Sequence, residues 1–187
     1  MLVGMSDPGL LILPTHRLVS GLSNVNSLSL LAALAKHFEI IETFDNSEDC
    51  WERVQLEDSQ SVLGFGTVSD GKWLAVRLTD ESIMGTLAAD QSSEWRSLAV
   101  SILHKVVLEK LLPGALGGTP TCQYVHMMKE VDDAVAAKSC QIACLVPPCG
   151  MEHVESIAGN REKMPPKSTY FYPKIVTGLV LHSLKKD

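Results

Sequence analysis

Aromatic residues make up only 5% of this 187-residue chain, so its core must be assembled mainly from Leu, Val, Ile and Ala. No apolar run approaches the ~20 residues that a transmembrane helix needs. The N-terminus lacks the basic stretch followed by an apolar one that marks a secretory signal. Both absences point to a soluble, cytoplasmic protein with no membrane partner. The five cysteines are an odd number and far too sparse for a disulfide framework, so they read as reduced thiols of a cytosolic protein. A Gly-rich phosphate loop is missing: Gly64-Phe65-Gly66 falls inside a strand pattern with no helix after it. There is no serine nucleophile elbow, no kinase signature, no internal repeat and no low-complexity segment. The formal net charge of -6 lacks the basic excess that displaces counterions from nucleic acid, which excludes a general nucleic-acid partner.

What is present suffices for a globular fold. Apolar residues are 45% and charged residues 20%, enough burial for one domain or two small ones sharing a core. The charge is uneven. From Arg161 onward six Lys or Arg face two acids, a balance of +4, so the rest of the chain carries -10. Between Glu39 and Asp58 eight acids face Arg53 alone. An acidic body with a basic end predicts internal pairing, an anion site, or head-to-tail pairing in a homodimer.

Met1 to Met5 reads as a strand, Ser6-Asp7-Pro8-Gly9 as a turn, and Leu10 to Leu13 as a short buried strand stopped by Pro14. A domain rarely begins inside a hairpin, so the chain reads as a piece whose first strand belongs to something upstream. Asn26 or Ser27 caps a helix with Leu30, Leu31, Leu34 and Phe38 at helical spacing. Phe38 to Phe44 is a strand, and Ser47 caps a second helix running to about Asp58. Ser61 to Val68 and Lys72 to Leu78 flank Asp70-Gly71, a strong hairpin signal. Ser92 or Ser93 caps the longest helix, ended by Pro113-Gly114. Gly114 to Pro120 reads as a hinge between subdomains 1–113 and 121–187. Then follow a strand around Tyr124, a helix from Val131 to Lys138, a strand at Gln141 to Val146, a helix from Glu152 to Ala158, and a last strand at Gly178 to Leu184. The expected fold is α/β or α+β: a mixed sheet with helices packed against it.

Three constellations carry possible chemistry. Cys140, Cys144, Cys149 and His153 resemble a zinc site as text, but Cys140 and Cys144 four residues apart on one strand sit ~13 Å apart, too far for one ion. They read as small core residues, and no metal is expected. Thr15, His16 and Arg17 follow a strand end, where ligand sites collect. Arg17 there can clamp a carboxylate or phosphate, and His16 can shuttle a proton. The plainer reading has His16 capping a carbonyl and Arg17 pairing with the acidic 39–58 segment. The densest set is Met164 to Lys174, where Lys167, Ser168, Thr169, Tyr170, Tyr172 and Lys174 concentrate donors suited to a phosphorylated or otherwise anionic small molecule. Its plainer reading is an extended edge segment with both tyrosines on one face and Phe171 packed inward. His126 is a weaker candidate, and His37, His104 and His182 read as surface or rim residues.

Two blocks resemble a known family. Asp7-Pro8-Gly9-Leu10 with Leu13-Pro14-Thr15-His16-Arg17, and Met164 through Lys174 with Thr177-Gly178-Leu179-Val180, are similar to the C-terminal half of the bacterial and archaeal family called domain of unknown function 1015. The resemblance implies a longer protein whose N-terminal half carries an Asp-Gly-His-His-Arg motif. That half is similar to nucleotide-handling folds of the sulfiredoxin and ParB type, some of which phosphorylate small metabolites. It also implies an association with serine-biosynthesis gene neighbourhoods. The motif is absent from this chain, so the missing half is the first partner to expect.

Two functions of different class follow. In the first, the chain is the substrate-side half of a small-molecule kinase or phosphotransferase: Arg17, Lys167 and Lys174 neutralise charge, and His16 positions a proton. In the second, it is a non-catalytic anion-binding, regulatory or dimerisation module. A third reading makes 164–174 an interface to the missing half. No cofactor is named by any of these features.

Overall fold

Alternating apolar residues on short strands, and apolar stripes on the helices between them, build a sheet with helices on both faces. The structure is a computed structural model and describes Gly4 and residues 7–174. The expected strands at Met1 to Met5 and Gly178 to Leu184 lie outside the described residues, as do Thr177 to Val180 and His182.

The first strands are β1 (Leu11–Leu13) and β2 (His16–Leu22). Helix α1 (Ser27–Leu34) starts at Asn26, whose side chain accepts from the Ser29 amide while Ser29 Oγ accepts from the Asn26 amide. Strand β3 (Phe38–Phe44) has the expected bounds, and α2 (Ser47–Leu56) is capped by Asn46 rather than Ser47. Strands β4 (Val62–Thr67) and β5 (Lys72–Leu78) form the expected hairpin. Gly71 takes φ +68° in its turn, a conformation that L side chains avoid.

Two short helices follow, α3 (Ser82–Leu87) and α4 (Ser93–Arg96), the latter capped by Ser92 Oγ. The long helix begins later than its cap signal implied, at Ala99. It runs as α5 (Ala99–Ile102), a π-helical stretch (Leu103–Leu111) and α6 (Leu112–Leu116). Pro113 does not end it. The stop is Gly117, at φ +70°. Strand β6 (Gly118–Val125) starts at the next residue. The stretch expected to be a hinge is therefore helix end and strand start. The remaining elements are α7 (Met128–Ala136), β7 (Ile142–Leu145), α8 (Met151–Gly159) and β8 (Tyr170–Tyr172).

Six strands form one sheet in the order β3-β5-β4-β7-β2-β6, every pairing antiparallel. Strands from before and after residue 117 share it. Successive strand residues point to opposite faces, and the cores divide accordingly. Val19, Leu63, Phe65, Leu74, Val76, Ile142 and Cys144 face the larger core, built with α1, α3, the 99–116 helix and Ile157 of α8. Leu18, Trp73, Ala143 and Leu145 face a smaller core with Cys50 of α2 and Val131 and Ala134 of α7.

Strand β1 is not in this sheet and is not buried. It pairs with β8 as a separate ribbon, Leu11 opposite Tyr172 and Leu13 opposite Tyr170, with Leu11 and Tyr172 each 51% exposed. Among the described residues no helix is long and apolar enough to cross a membrane.

Candidate functional site

His16 and Arg17 are not loop residues. They are the first two residues of β2, each 1% exposed, and adjacent strand positions send them to opposite faces. That separates the roles expected of them.

Arg17 lies opposite Tyr124 of β6 and Cys144 of β7, on the larger-core face. Its guanidinium stands 5.6 Å from the centre of the Tyr124 ring. It donates to the carbonyl of Thr15 and, at 2.9 Å, to the carbonyl of Lys167. Nε is buried with no partner, and among the described residues no carboxylate makes an ion pair with Arg17. Burial lowers its pKa from the ordinary guanidinium value. The expected clamp is thus sealed. Arg17 acts as a bolt that ties the 164–169 loop to the sheet.

His16 lies opposite Val125, on the smaller-core face, edge-on to Trp51 with ring centres 4.8 Å apart. Its Nδ1 accepts from the Val146 amide at 3.3 Å, so the ring proton sits on Nε2, which is buried without a partner. Burial first, then the charges of Arg17 and His126, push its pKa down to about 4. His16 is therefore enclosed at the start of β2, with one ring nitrogen occupied by the Val146 amide.

The acidic 39–58 segment is met locally rather than by Arg17. Arg77 pairs with Glu39 and Glu57, Arg53 with Glu57 and Glu42, and Lys72 with Asp45.

Around the start of β2, Thr15, His126, Tyr170 and Lys174 meet. Thr15 is buried, its Oγ1 3.3 Å from His126 Nδ1. His126 follows β6; its Nδ1 also lies 3.2 Å from the Pro14 carbonyl oxygen. Its ring stacks on Tyr170, centres 3.8 Å apart at a 32° tilt, and Lys174 Nζ stands 4.2 Å from the centre of the same Tyr170 ring. The backbone amides of His126 and Met127 both donate to Glu130 Oε2, which fixes the approach to α7. Lys167 is exposed, at φ +57°, and reaches the site through its carbonyl. Ser168 is buried, its amide bonded to the Pro165 carbonyl. Thr169 is half-buried, whereas Tyr172 faces outward opposite Leu11. The partners of His126 lie more than a hundred residues away, beyond the reach of local sequence patterns.

The cysteines are placed apart. Cys144 and Cys149 sit in the larger core and Cys140 in the smaller one. Burial pushes Cys149 up to about 11 and Cys144 well above its ordinary value, so both are thiols. Among the described residues no three His, Cys, Asp or Glu are placed to hold a metal ion. His37 is more buried than the surface or rim position expected, and His104 is half-buried. His37 is buried and pairs with Asp80 at 3.0 Å, and His104 Nε2 is buried without a partner. Elsewhere a cleft of about 810 Å³ opens between β1, the end of α2 and the β7–α8 loop, lined in part by Ile12, Val54, Asp58, Gln60, Pro148 and Glu152.

An antiparallel sheet covered by helices on both faces, with a polar cluster at the start of β2, defines an α/β domain of known family. The chain belongs to the family described as "Protein of unknown function (DUF1015)", which matches residues 1–101. Solved structures of similar fold include a free serine kinase variant in complex with AMP, 14% identical with a TM-score of 0.54, covering 91% of this chain and 57% of that one. A variant in complex with ADP is 13% identical with a TM-score of 0.52 and the same coverage. A conserved hypothetical protein from Pyrococcus furiosus is 13% identical, TM-score 0.50, covering 91% of this chain and 60% of that one. At such identities the likeness is one of fold. The chain spans less than two thirds of the length of these structures. No curated protein matches it.

Proposed function

We propose that this chain supplies the substrate-side part of a small-molecule kinase or phosphotransferase, holding an anionic metabolite where β2 begins and β6 ends. The observation that carries this is the meeting of three distant segments, Pro14 to Arg17, Tyr124 to His126 and Lys167 to Lys174, around the stacked rings of His126 and Tyr170. Lys174 stands over that stack, and Arg17 fixes the loop that bears Lys167, Ser168 and Thr169. Phosphoryl transfer asks a protein mainly for positioning and charge neutralisation, which such a set provides. The fold likeness to a free serine kinase solved with AMP and with ADP makes serine and adenine nucleotides the first ligands to try. In this reading a further protein segment, of the kind the longer structures carry, completes the site. Cytoplasmic placement suits the unpaired thiols.

The sealing of His16 and Arg17 favours a second reading, a non-catalytic anion-binding, regulatory or dimerisation module. A thermal-shift series with phosphate, ATP, ADP, serine and phosphoserine tests the first reading. A ligand at 100 times its Kd stabilises the fold by about 2.7 kcal/mol. The expected result is a shift with an anionic ligand that Lys174→Ala reduces several-fold. No shift with any of the five counts against an anion site formed by this chain alone.

A further inference from the structure

Resting on the anion-site reading above, we infer that His126 presents its Nε2 lone pair to a hydroxyl of the bound metabolite, so that the ligand class is a small hydroxyl-bearing anion such as a hydroxy amino acid. The tautomer follows from the partners. The Pro14 carbonyl oxygen, 3.2 Å from His126 Nδ1, can only accept, so Nδ1 carries the ring proton and shares it with Thr15 Oγ1 at 3.3 Å. Nε2 is then the bare nitrogen. It has no hydrogen-bond partner among the described residues, and it is not one of the buried unpartnered atoms, so no described residue occupies it.

His16 is the mirror case. Its Nδ1 accepts from a backbone amide, its Nε2 holds the proton, and that proton is sealed. Of the two imidazoles near the start of β2, only His126 has a lone pair that no described residue occupies. The ring is held on three sides: the Nδ1 bonds fix its rotation, the Tyr170 face fixes its plane, and Glu130 holds its backbone. A base held in one orientation by a carbonyl on its other nitrogen is the arrangement that orients catalytic imidazoles generally.

In a phosphotransfer from a nucleoside polyphosphate, the ligand hydroxyl oxygen forms the new O–P bond. The nucleotide P–O bridge breaks with its electron pair, and the hydroxyl proton passes to Nε2. The Lys174 ammonium stands 4.2 Å from the centre of the Tyr170 ring on which His126 stacks.

The test uses the full chain labelled with 15N and two-bond imidazole correlations, titrated with L-serine, L-alanine and inorganic phosphate. His126 should show a protonated Nδ1 and a bare Nε2. L-serine should move the Nε2 resonance, and L-alanine should not. His126→Asn, which keeps a polar group near Nδ1 and removes Nε2, should weaken serine binding at least tenfold, and more than it weakens phosphate binding. A proton on Nε2 in the free chain overturns the inference, as does an Nε2 resonance that ignores serine. If phosphate binds and Lys174→Ala abolishes it while His126→Asn leaves serine affinity unchanged, the inference alone falls and the anion site stands. Absence of phosphate binding counts against the anion site itself.

Discussion

Burial decides what each histidine can do. His16 titrates near 4 in the folded chain against 6.5 for an exposed imidazole, because desolvation and the neighbouring charges of Arg17 and His126 oppose its protonated form, with Glu130 the one neighbour that favours it. As pH falls, the unfolded chain takes up this proton first. The stability that His16 contributes is complete above about pH 6.5 and is lost as pH falls from there to about 4. His104, also pushed down to about 4, mainly by burial, acts in the same direction. Tm should therefore fall across this window, and His16→Asn, which retains an acceptor for the Val146 amide but cannot titrate there, should make the fall shallower. An unchanged slope in His16→Asn would remove His16 from the account. Arg17 gives a second prediction. Arg17→Met leaves the Thr15 and Lys167 carbonyls without their donor, at a cost of about 2–4 kcal/mol, and should increase hydrogen exchange at the Ser168 amide, which the anchored loop shelters. Full retention of that protection would show that the loop is held by other contacts. Neither role could be read from the sequence. Thr15-His16-Arg17 is polar by composition, and nothing local reveals that its partners are Val146 and Lys167, 130 and 150 residues away.

Elements were legible where the signal was local. Asp70-Gly71 between apolar runs specified β4 and β5, and the seven residues of β3 and the Asn26 cap followed from spacing and side-chain chemistry. The elements that misled were governed by tertiary context. Leu11 to Leu13 looked like a core strand, yet its partner is β8 in a separate ribbon. Pro113 looked like a stop, yet the helix continues past it to Leu116. The π-helical stretch before it, with Val106, Val107 and Leu108 buried, has no sequence signature. The hairpin supplies a test of packing. A Cβ on Gly66 would come within 2.5 Å of the Trp73 ring, its register partner, which is itself buried. Gly66→Ala should cost about 1–3 kcal/mol in chemical denaturation and perturb the near-ultraviolet signal of Trp73. A variant as stable as the parent would mean that the ring can swing aside freely.

At the scale of the molecule, one antiparallel sheet divides two cores, and β2 runs between β6 and β7 so that its first residues meet chain segments from both later regions. Composition was enough to predict helices on a sheet; it could not say that His126, Tyr170 and Lys174 would converge beside Thr15, because convergence is set by strand order. The acidic 39–58 segment finds its cations on its own side of the sheet, which leaves the basic 161–174 region available to an anion. The central claim is that this region, and not the 810 Å³ cleft beside β1, receives the ligand. Amide chemical-shift mapping of the full chain during titration with inorganic phosphate tests it most directly. The account predicts that the resonances of Thr15, His126, Tyr170 and Lys174 move together along one binding curve. Movement confined to Asp58, Gln60 and Cys149 to His153, or none at all, would contradict it.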